Sequence, residues 1–267
     1  MGLEVVMEKN IYMNQLLSKL MRNKIFYPLW ENLNKLSSYG MNFGVASGYA
    51  DYSGELYIIK QLKKDLTHSI VFDIGANVWD WSKFVLKEYR AIPYKLYMFE
   101  PSLGTFKQLK NNIPKSDKYF LFPIGFGDKK ETLQIFYDNE TQGSASILMK
   151  NAKYSEEIKI ETIDNFCQEN NIERIDFLKM DVQGYEYNIL LGAEEMLKKG
   201  KIQFIQFEFD EPNIENRIFL KDFWDLLNKK YEIYHSLYNG LVKIEAYEFS
   251  IENFSCMNYL AILKKRE

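Results

Sequence analysis

Ser69-Ile-Val-Phe-Asp-Ile-Gly-Ala-Asn77 is answered, one helical pattern later, by Leu96-Tyr-Met-Phe-Glu-Pro101. Each stretch is an apolar run of strand length. The first ends in Asp-x-Gly and the second in an acid, which is how an α/β sheet builds a nucleoside pocket: glycine for close approach, a carboxylate for ribose hydroxyls. The turn lacks the further glycines that let a pyrophosphate approach, with Asn77 and Trp79 standing there instead. A ligand without phosphates is therefore expected, and the chain reads as a binder of an adenosine-containing cofactor.

Outward from this pair, apolar runs of strand length alternate with helical spacing, the pattern of a doubly wound sheet. Strands are predicted at 69–75, 95–99, 119–123, 175–181, 203–209, 231–237 and 258–264, with helices near 79–90, 103–113, 162–170, 187–199 and 215–230. Two extended segments, Thr132–Tyr137 and Glu157–Glu161, interrupt the alternation and flank Asn139–Ser146, so an antiparallel element is expected beside the pocket. The last two strands read as antiparallel. Before the sheet, Leu16, Leu17, Leu20, Met21 and Ile25 recur at helical spacing, and Pro28 opens a second stretch through Leu29, Leu33 and Leu36. The expected architecture is thus α/β, a doubly wound and mostly parallel sheet with an antiparallel last strand. A helical extension over 1–48 precedes the main domain over 49–267.

Composition narrows the function. The 267 residues are 46% hydrophobic and 16% aromatic, enough for a sizeable core. The 34 basic and 37 acidic residues nearly cancel to −3, so no field of one sign draws nucleic acid or an anionic membrane. Cys167 and Cys256, far apart and without metal-ligand spacing, read as core thiols of a reducing compartment. No signal peptide, myristoylation signal or apolar run of membrane length is seen, so a cytoplasmic protein without a membrane span is expected. The apolar stripe of the extension fits either a cover for the site or a homodimer.

Chemistry-bearing residues fall at successive strand ends. Asp73, Gly75 and Asn77 follow the first strand, and Glu100, with Pro101 and Ser102 after it, closes the second. Gly125-Phe-Gly-Asp128 closes the third, where Phe126 packs against, or Asp128 bonds to, an adenine. Asp181 emerges from an apolar strand and with Glu186 can point into the crevice; a carboxylate there can orient a hydroxyl or act as general base. Glu208 lies within an apolar run, where shielding raises its pKa and suits it to proton transfer, whereas Asp210 and Glu211 are assigned to the loop and next helix. Asp181 and Glu208 together could also ligate a hard divalent cation, whose involvement is left undetermined. Tyr49, Tyr52, Tyr185, Glu186 and His235 are the expected acceptor-side walls.

Val71-Phe-Asp-Ile-Gly-Ala-Asn77, Phe99-Glu-Pro101, Gly127-Asp128 and Lys179-Met-Asp-Val-Gln-Gly-Tyr-Glu186, preceded by Ser53-Gly-Glu55, form an ordered series. It resembles the FkbM-type S-adenosylmethionine-dependent methyltransferases over about residues 49 to 264. The resemblance implies the class I methyltransferase fold and methyl transfer to an oxygen of a sugar or polyketide. It also implies that Asp73, Gly75, Ala76 and Asn77 run along the cofactor's methionine and ribose, that Glu100 holds the ribose and that Asp128 sits by the adenine. Glu55 and Asp181 would border the reacting end. Trp79 departs from the family, which usually has glycine there. A composition rich in Lys, Asn, Ile, Tyr and Phe fits an AT-rich bacterial genome, and with it a nucleotide-activated sugar or capsule precursor as acceptor. Two other readings stay open: an NAD-dependent oxidoreductase with a degenerate glycine turn, and a non-catalytic binder with Trp79 filling the cleft.

Overall fold

A computed structural model of the chain describes residues 18–19, 21–44, 50–64, 68–137 and 153–265. Leu16, Leu17, Leu20, Tyr49 and the segment 139–146 lie outside them. The chain divides between Phe43 and Gly44 into two compact units. In the first, helix α1 (Tyr27–Gly40) carries Pro28 in its opening turn, where a missing N–H costs nothing, and leaves Leu29, Leu33 and Leu36 exposed.

The second unit opens with α2 (Ala50–Ser53) and α3 (Glu55–Leu62), which lead into β1 (Ser69–Ile74). An alternating series follows: α4 (Ser82–Glu88), β2 (Tyr94–Phe99), α5 (Leu103–Asn112) and β3 (Tyr119–Phe122). Three strands, β4 (Gly125–Phe126), β5 (Glu131–Tyr137) and β6 (Tyr154–Glu161), leave the main sheet and pair among themselves. The main series resumes with α6 (Ile163–Glu169), β7 (Ile175–Met180), α7 (Glu186–Leu191), α8 (Glu194–Lys198) and β8 (Ile202–Phe209). It ends with α9 (Pro212–Asn216), α10 (Leu220–Leu227), β9 (Tyr231–Leu237), β10 (Gly240–Lys243) and β11 (Met257–Leu263).

The eight main strands lie in the order β10-β9-β11-β8-β7-β1-β2-β3. Strands β3, β2, β1, β7 and β8 are mutually parallel, and β11 runs antiparallel to both β8 and β9. Two reversals make β9 parallel to β8. The carboxyl ends of β2, β1, β7, β8 and β9 therefore share one edge. This is the doubly wound sheet with an antiparallel last strand expected from the sequence. Strands β1, β7 and β8 are buried along almost their whole length, which explains their unbroken apolar runs.

Departures from expectation are local. The helix expected at 187–199 is two, interrupted around Gly192 and Ala193, and that at 215–230 breaks where Arg217 takes φ +56°. Strand β10 was not expected because its four residues are half-buried or exposed and carry no buried run.

Both faces of the sheet are covered. Alternation along β1 sends Val71 to a cluster with Ile58, Ile59, Trp81, Val85 and Phe177, and sends Phe72 to an aromatic layer on the other side. There the Phe166 ring stands edge-on to Phe72, Phe99, Phe122 and Phe126 at 5.0–5.9 Å. Edge-to-face geometry adds to the area that these rings bury. Replacing Phe166 by Ala is expected to lower the unfolding free energy by about 3–5 kcal/mol, read from urea denaturation, whereas Phe166→Leu should cost markedly less.

Candidate active site

The site residues are held at the shared carboxyl edge, and one buried ammonium organises them. Lys179, near the end of β7, places its Nζ 3.2 Å from Asp73 Oδ1 and 3.5 Å from Asp181 Oδ2, and its side chain is 3% exposed. The ammonium also lies 5.8 Å from the centre of the Trp81 ring. Asp73 Oδ2 accepts a 2.6 Å hydrogen bond from Ser82 Oγ. Burial alone would lower the Lys179 pKa; the Asp73, Asp181 and Glu55 carboxylates outweigh it and raise the pKa, so the side chain stays charged.

The β1 turn closes against this pair. The Asp181 N–H donates to the Ile74 carbonyl at 3.1 Å, and a Cβ on Gly75, at φ +75°, would stand 1.9 Å from the Asp181 carbonyl oxygen. Gly75 therefore joins the ends of β1 and β7, a protein contact where the sequence suggested approach to a ligand. Asn77 and Trp79 follow with φ of +48° and +91°. Trp79 thus occupies a left-handed backbone conformation that favours glycine, and its indole packs at the edge of the Val71–Trp81 core.

At the end of β2, Glu100 accepts from the Asn77 N–H at 3.1 Å through Oε2 and from the Ser102 N–H at 3.0 Å through Oε1. Each carboxylate oxygen keeps a second acceptor site, one for each of two vicinal hydroxyls. Beside it, Asn77 Oδ1 is buried with no hydrogen-bond partner among the described residues. Ala76, Pro101 and Ser102 complete this wall, with Ala76 and Ser102 buried. The donor and acceptor set suits the ribose end of an adenosine cofactor. Burial pushes the Glu100 carboxyl up to about 7, against the two N–H groups that favour its charge.

A second acidic group lies at the ends of β7 and β8. Glu208, 2% exposed, accepts from the Cys256 thiol at 2.8 Å through Oε1, and Gln183 Nε2 reaches Glu208 Oε2 at 3.5 Å and Asp181 Oδ1 at 3.4 Å. Burial, followed by the nearby Asp181, holds the Glu208 carboxyl well above the usual range. Glu186 turns its Oε1 back onto the Val182 N–H at 2.8 Å, closing the turn after β7, and burial pushes it up to about 8. Asp210 is also buried, with Oδ1 unpartnered among the described residues, and burial and Asp181 push it up to about 7. Asp210 keeps its expected place in the loop after β8, where its N–H donates to Asn213 Oδ1 of α9 at 3.3 Å, yet its carboxyl also lies near Asp181 and Glu208, while the exposed Glu211 immediately precedes α9. Among the described residues, no three His, Cys, Asp or Glu side chains are arranged to hold a metal ion.

Glu55 enters from the other side, on an elbow before α3. Its oxygens accept from Ser53 Oγ at 3.0 Å and Gln206 Nε2 at 3.1 Å, and Gln206 also donates to Asn258 at 3.1 Å. Burial lifts Glu55 to about 7, with Lys179 opposing and Asp181 adding to the rise.

Two expected site residues are placed elsewhere. Phe126 is 2% exposed and edge-on to Phe99 and Phe166, so its ring belongs to the core. His235 lies opposite Tyr259, rings 5.9 Å apart, on the face where Phe207 stacks on Phe223; the next residue, Ser236, faces the Glu55 elbow instead. Asp128 is exposed beyond β4, near the half-buried Tyr185, whose hydroxyl burial and Asp128 push up to about 12. Tyr52 is exposed near the elbow. Lys179, Gln183, Gln206 and Cys256 were not expected in the site. A lysine inside a buried strand, two residues before Asp181, was the available signal for the first.

The sheet order, the antiparallel β11 between β8 and β9, and the acids at the ends of β1, β2, β7 and β8 define a class I methyltransferase fold. The Methyltransferase FkbM domain family matches residues 73–233, and the chain belongs to that family. It is 27% identical over 175 residues to the 2-O-methyltransferase NoeI of Sinorhizobium fredii (strain NBRC 101917 / NGR234), covering 59% of this chain and 70% of NoeI. Among solved structures, the methyltransferase FkbM from Methylobacillus flagellatus KT aligns with TM-score 0.44 and 15% identity, over 73% of this chain and 43% of that one. An S-adenosylmethionine-dependent O-methyltransferase from Thermotoga maritima aligns with TM-score 0.42 and 11% identity, over 80% of this chain and 66% of that one.

Two outcomes are expected. Trp79→Gly should be more stable than Trp79→Ala by about 1 kcal/mol, because only glycine relaxes the left-handed backbone while both lose the indole. Carboxyls raised in the folded state hold protons that the unfolded chain has released. The contribution of these three groups to stability should therefore be full below the ordinary carboxylate pKa near 4.5 and be lost as pH rises through 7 to 8, where Glu55, Glu100 and Glu186 ionise. Melting temperatures across pH 5 to 9 measure this fall, and Glu186→Gln should flatten its upper part.

Proposed function

We propose that the protein is an S-adenosylmethionine-dependent O-methyltransferase of the cytoplasm, acting on a sugar hydroxyl of a nucleotide-activated sugar or a surface-glycan precursor such as a capsule intermediate. The observation that carries this reading is the placement of Asp181. Its side chain is 19% exposed, the ammonium of Lys179 lies 3.5 Å behind it, and the buried Glu208 stands alongside. The family and its relative NoeI, a 2-O-methyltransferase, support methyl transfer to oxygen.

Bound S-adenosylmethionine supplies a methyl group on a positive sulfur, ready for in-line displacement by an oxygen nucleophile. Glu100 and Asn77 would hold the ribose end through their remaining acceptors, and Asp73 with the 75–77 turn would border the methionine end. Asp181 accepts the proton of the acceptor hydroxyl as it attacks, a step in which a positioned base contributes about 10²–10⁴-fold. Lys179 keeps Asp181 aimed at the opening. Glu208, more deeply buried, is driven toward its protonated form by burial and by Asp181, and in that form it lowers the negative charge that Asp181 faces.

The roles separate by mutation. Asp181→Asn should lower kcat about 10²–10⁴-fold with cofactor binding retained in calorimetric titration. Glu208→Gln, which mimics the protonated acid, should cost less than about tenfold. Equal losses in both variants would move the base to Glu208, and full turnover in both would refute carboxylate catalysis. Titration with S-adenosylmethionine, S-adenosylhomocysteine and NAD tests the cofactor: tight binding of NAD alone, or of none, overturns the reading.

A further inference from the structure

The elbow that delivers Glu55 has a second side. Gly54, at φ +90°, lies so close to the end of β9 that a Cβ there would stand 2.7 Å from the Leu237 carbonyl oxygen. Ser236 Oγ donates to the Ser53 carbonyl at 3.2 Å. These contacts fix residues 53–55 against the last turn of β9. Glu55 points from the elbow into the buried network, and Tyr52, just before it, remains at the surface.

Tyr238 opens the two-residue turn between β9 and β10, at the same edge of the sheet as the acids. The Tyr52 and Tyr238 rings stack at 6.4 Å with 25° between their planes. They are 63% and 62% exposed. Most aromatic side chains of this unit are covered; this pair is near-parallel and exposed to water.

We infer that Tyr52 and Tyr238 form a subsite for a second ring of the acceptor, a sugar or a nucleobase joined to the sugar that is methylated. This rests on the sugar O-methyltransferase reading given above. The sheet sets the distance: neighbouring strands are about 4.8 Å apart, so the end of β9 lies about 10 Å from that of β8 and about 14 Å from that of β7. A single sugar whose hydroxyl meets Asp181 does not span that gap. A molecule with one more ring does. The chemistry suits such a ring, because tyrosine faces stack on the apolar face of a pyranose or on a base while their hydroxyls stay in water. The buried acceptors nearer the centre, including the unpartnered Asp210 Oδ1, suit sugar hydroxyls.

The test compares acceptors of different length. For each of a set of hexoses, 6-deoxyhexoses and heptoses, methyl transfer from labelled cofactor is measured with the free sugar, a disaccharide ending in it, and its nucleoside diphosphate derivative. The wild type should prefer a two-ring acceptor. Preference for the disaccharide assigns the second ring to a glycan, and preference for the nucleotide form assigns it to a base. Tyr238→Ala should lower kcat/KM for that acceptor about tenfold, mainly through KM, and leave the free sugar within twofold, and Tyr52→Ala should lower kcat/KM for that acceptor to a similar extent. Tyr238→Trp should retain the preference. Melting temperature and cofactor affinity, unchanged in these variants, exclude a folding defect. Equal losses for free sugar and two-ring acceptor, or none for either, overturn the subsite alone. A wild type that binds S-adenosylmethionine yet methylates no member of the set overturns the sugar reading and the subsite with it.

Discussion

The charge of Lys179, closed between Asp73 and Asp181, is the constraint on which the carboxyl edge of the sheet depends. An ammonium this deep is tolerated only because carboxylates meet it, and removing one partner from such a pair typically costs about 3–5 kcal/mol. The pair also has a geometric effect. Asp73 ends β1 and Asp181 follows β7, so one cation pins together the two strands at whose junction a doubly wound sheet opens its crevice. Gly75 makes the same junction at the level of the backbone, with no room for a side chain against the Asp181 carbonyl.

The surplus of acid around this single ammonium sets the character of the site. Glu55, Glu186, Glu208 and Asp210 are all shielded, and all hold their protons more strongly than free carboxyls. Protonation is the cheapest way to keep so many acids in one buried place. A site built this way stores protons at the carboxyl edge of the sheet, beside Asp181. It also makes these acids withdraw stability as pH rises to where they ionise. Trp79 adds a smaller conflict, an indole in a left-handed backbone, retained beside the loop expected to receive the cofactor.

Much of the frame was legible because strand burial writes itself into the chain. Runs buried on both faces are continuously apolar, so β1, β2, β7 and β8 were found to within a residue or so, and the acids at their ends marked one edge. Helix ends were less legible, since the breaks near Gly192 and Arg217 come from packing and from a local left-handed turn. Phe126 shows the limit for single residues. Its glycine neighbours suggest a ligand wall, but the rings of Phe99 from β2 and Phe166 from α6 stand edge-on to it.

The sequence by itself determined the alternating architecture, the family and the positions of Asp73, Glu100, Asp181 and Glu208 at strand ends, because strand period and strand termination are local properties of the chain. Only the tertiary structure decided which side chains meet. The meeting of Lys179 with Asp73, the thiol of Cys256 on Glu208, the approach of Asp210 to Asp181 and the stacking of Tyr52 on Tyr238 join residues from about 30 to more than 180 positions apart. Such contacts are set by strand order and register, and these emerge only when the sheet is assembled.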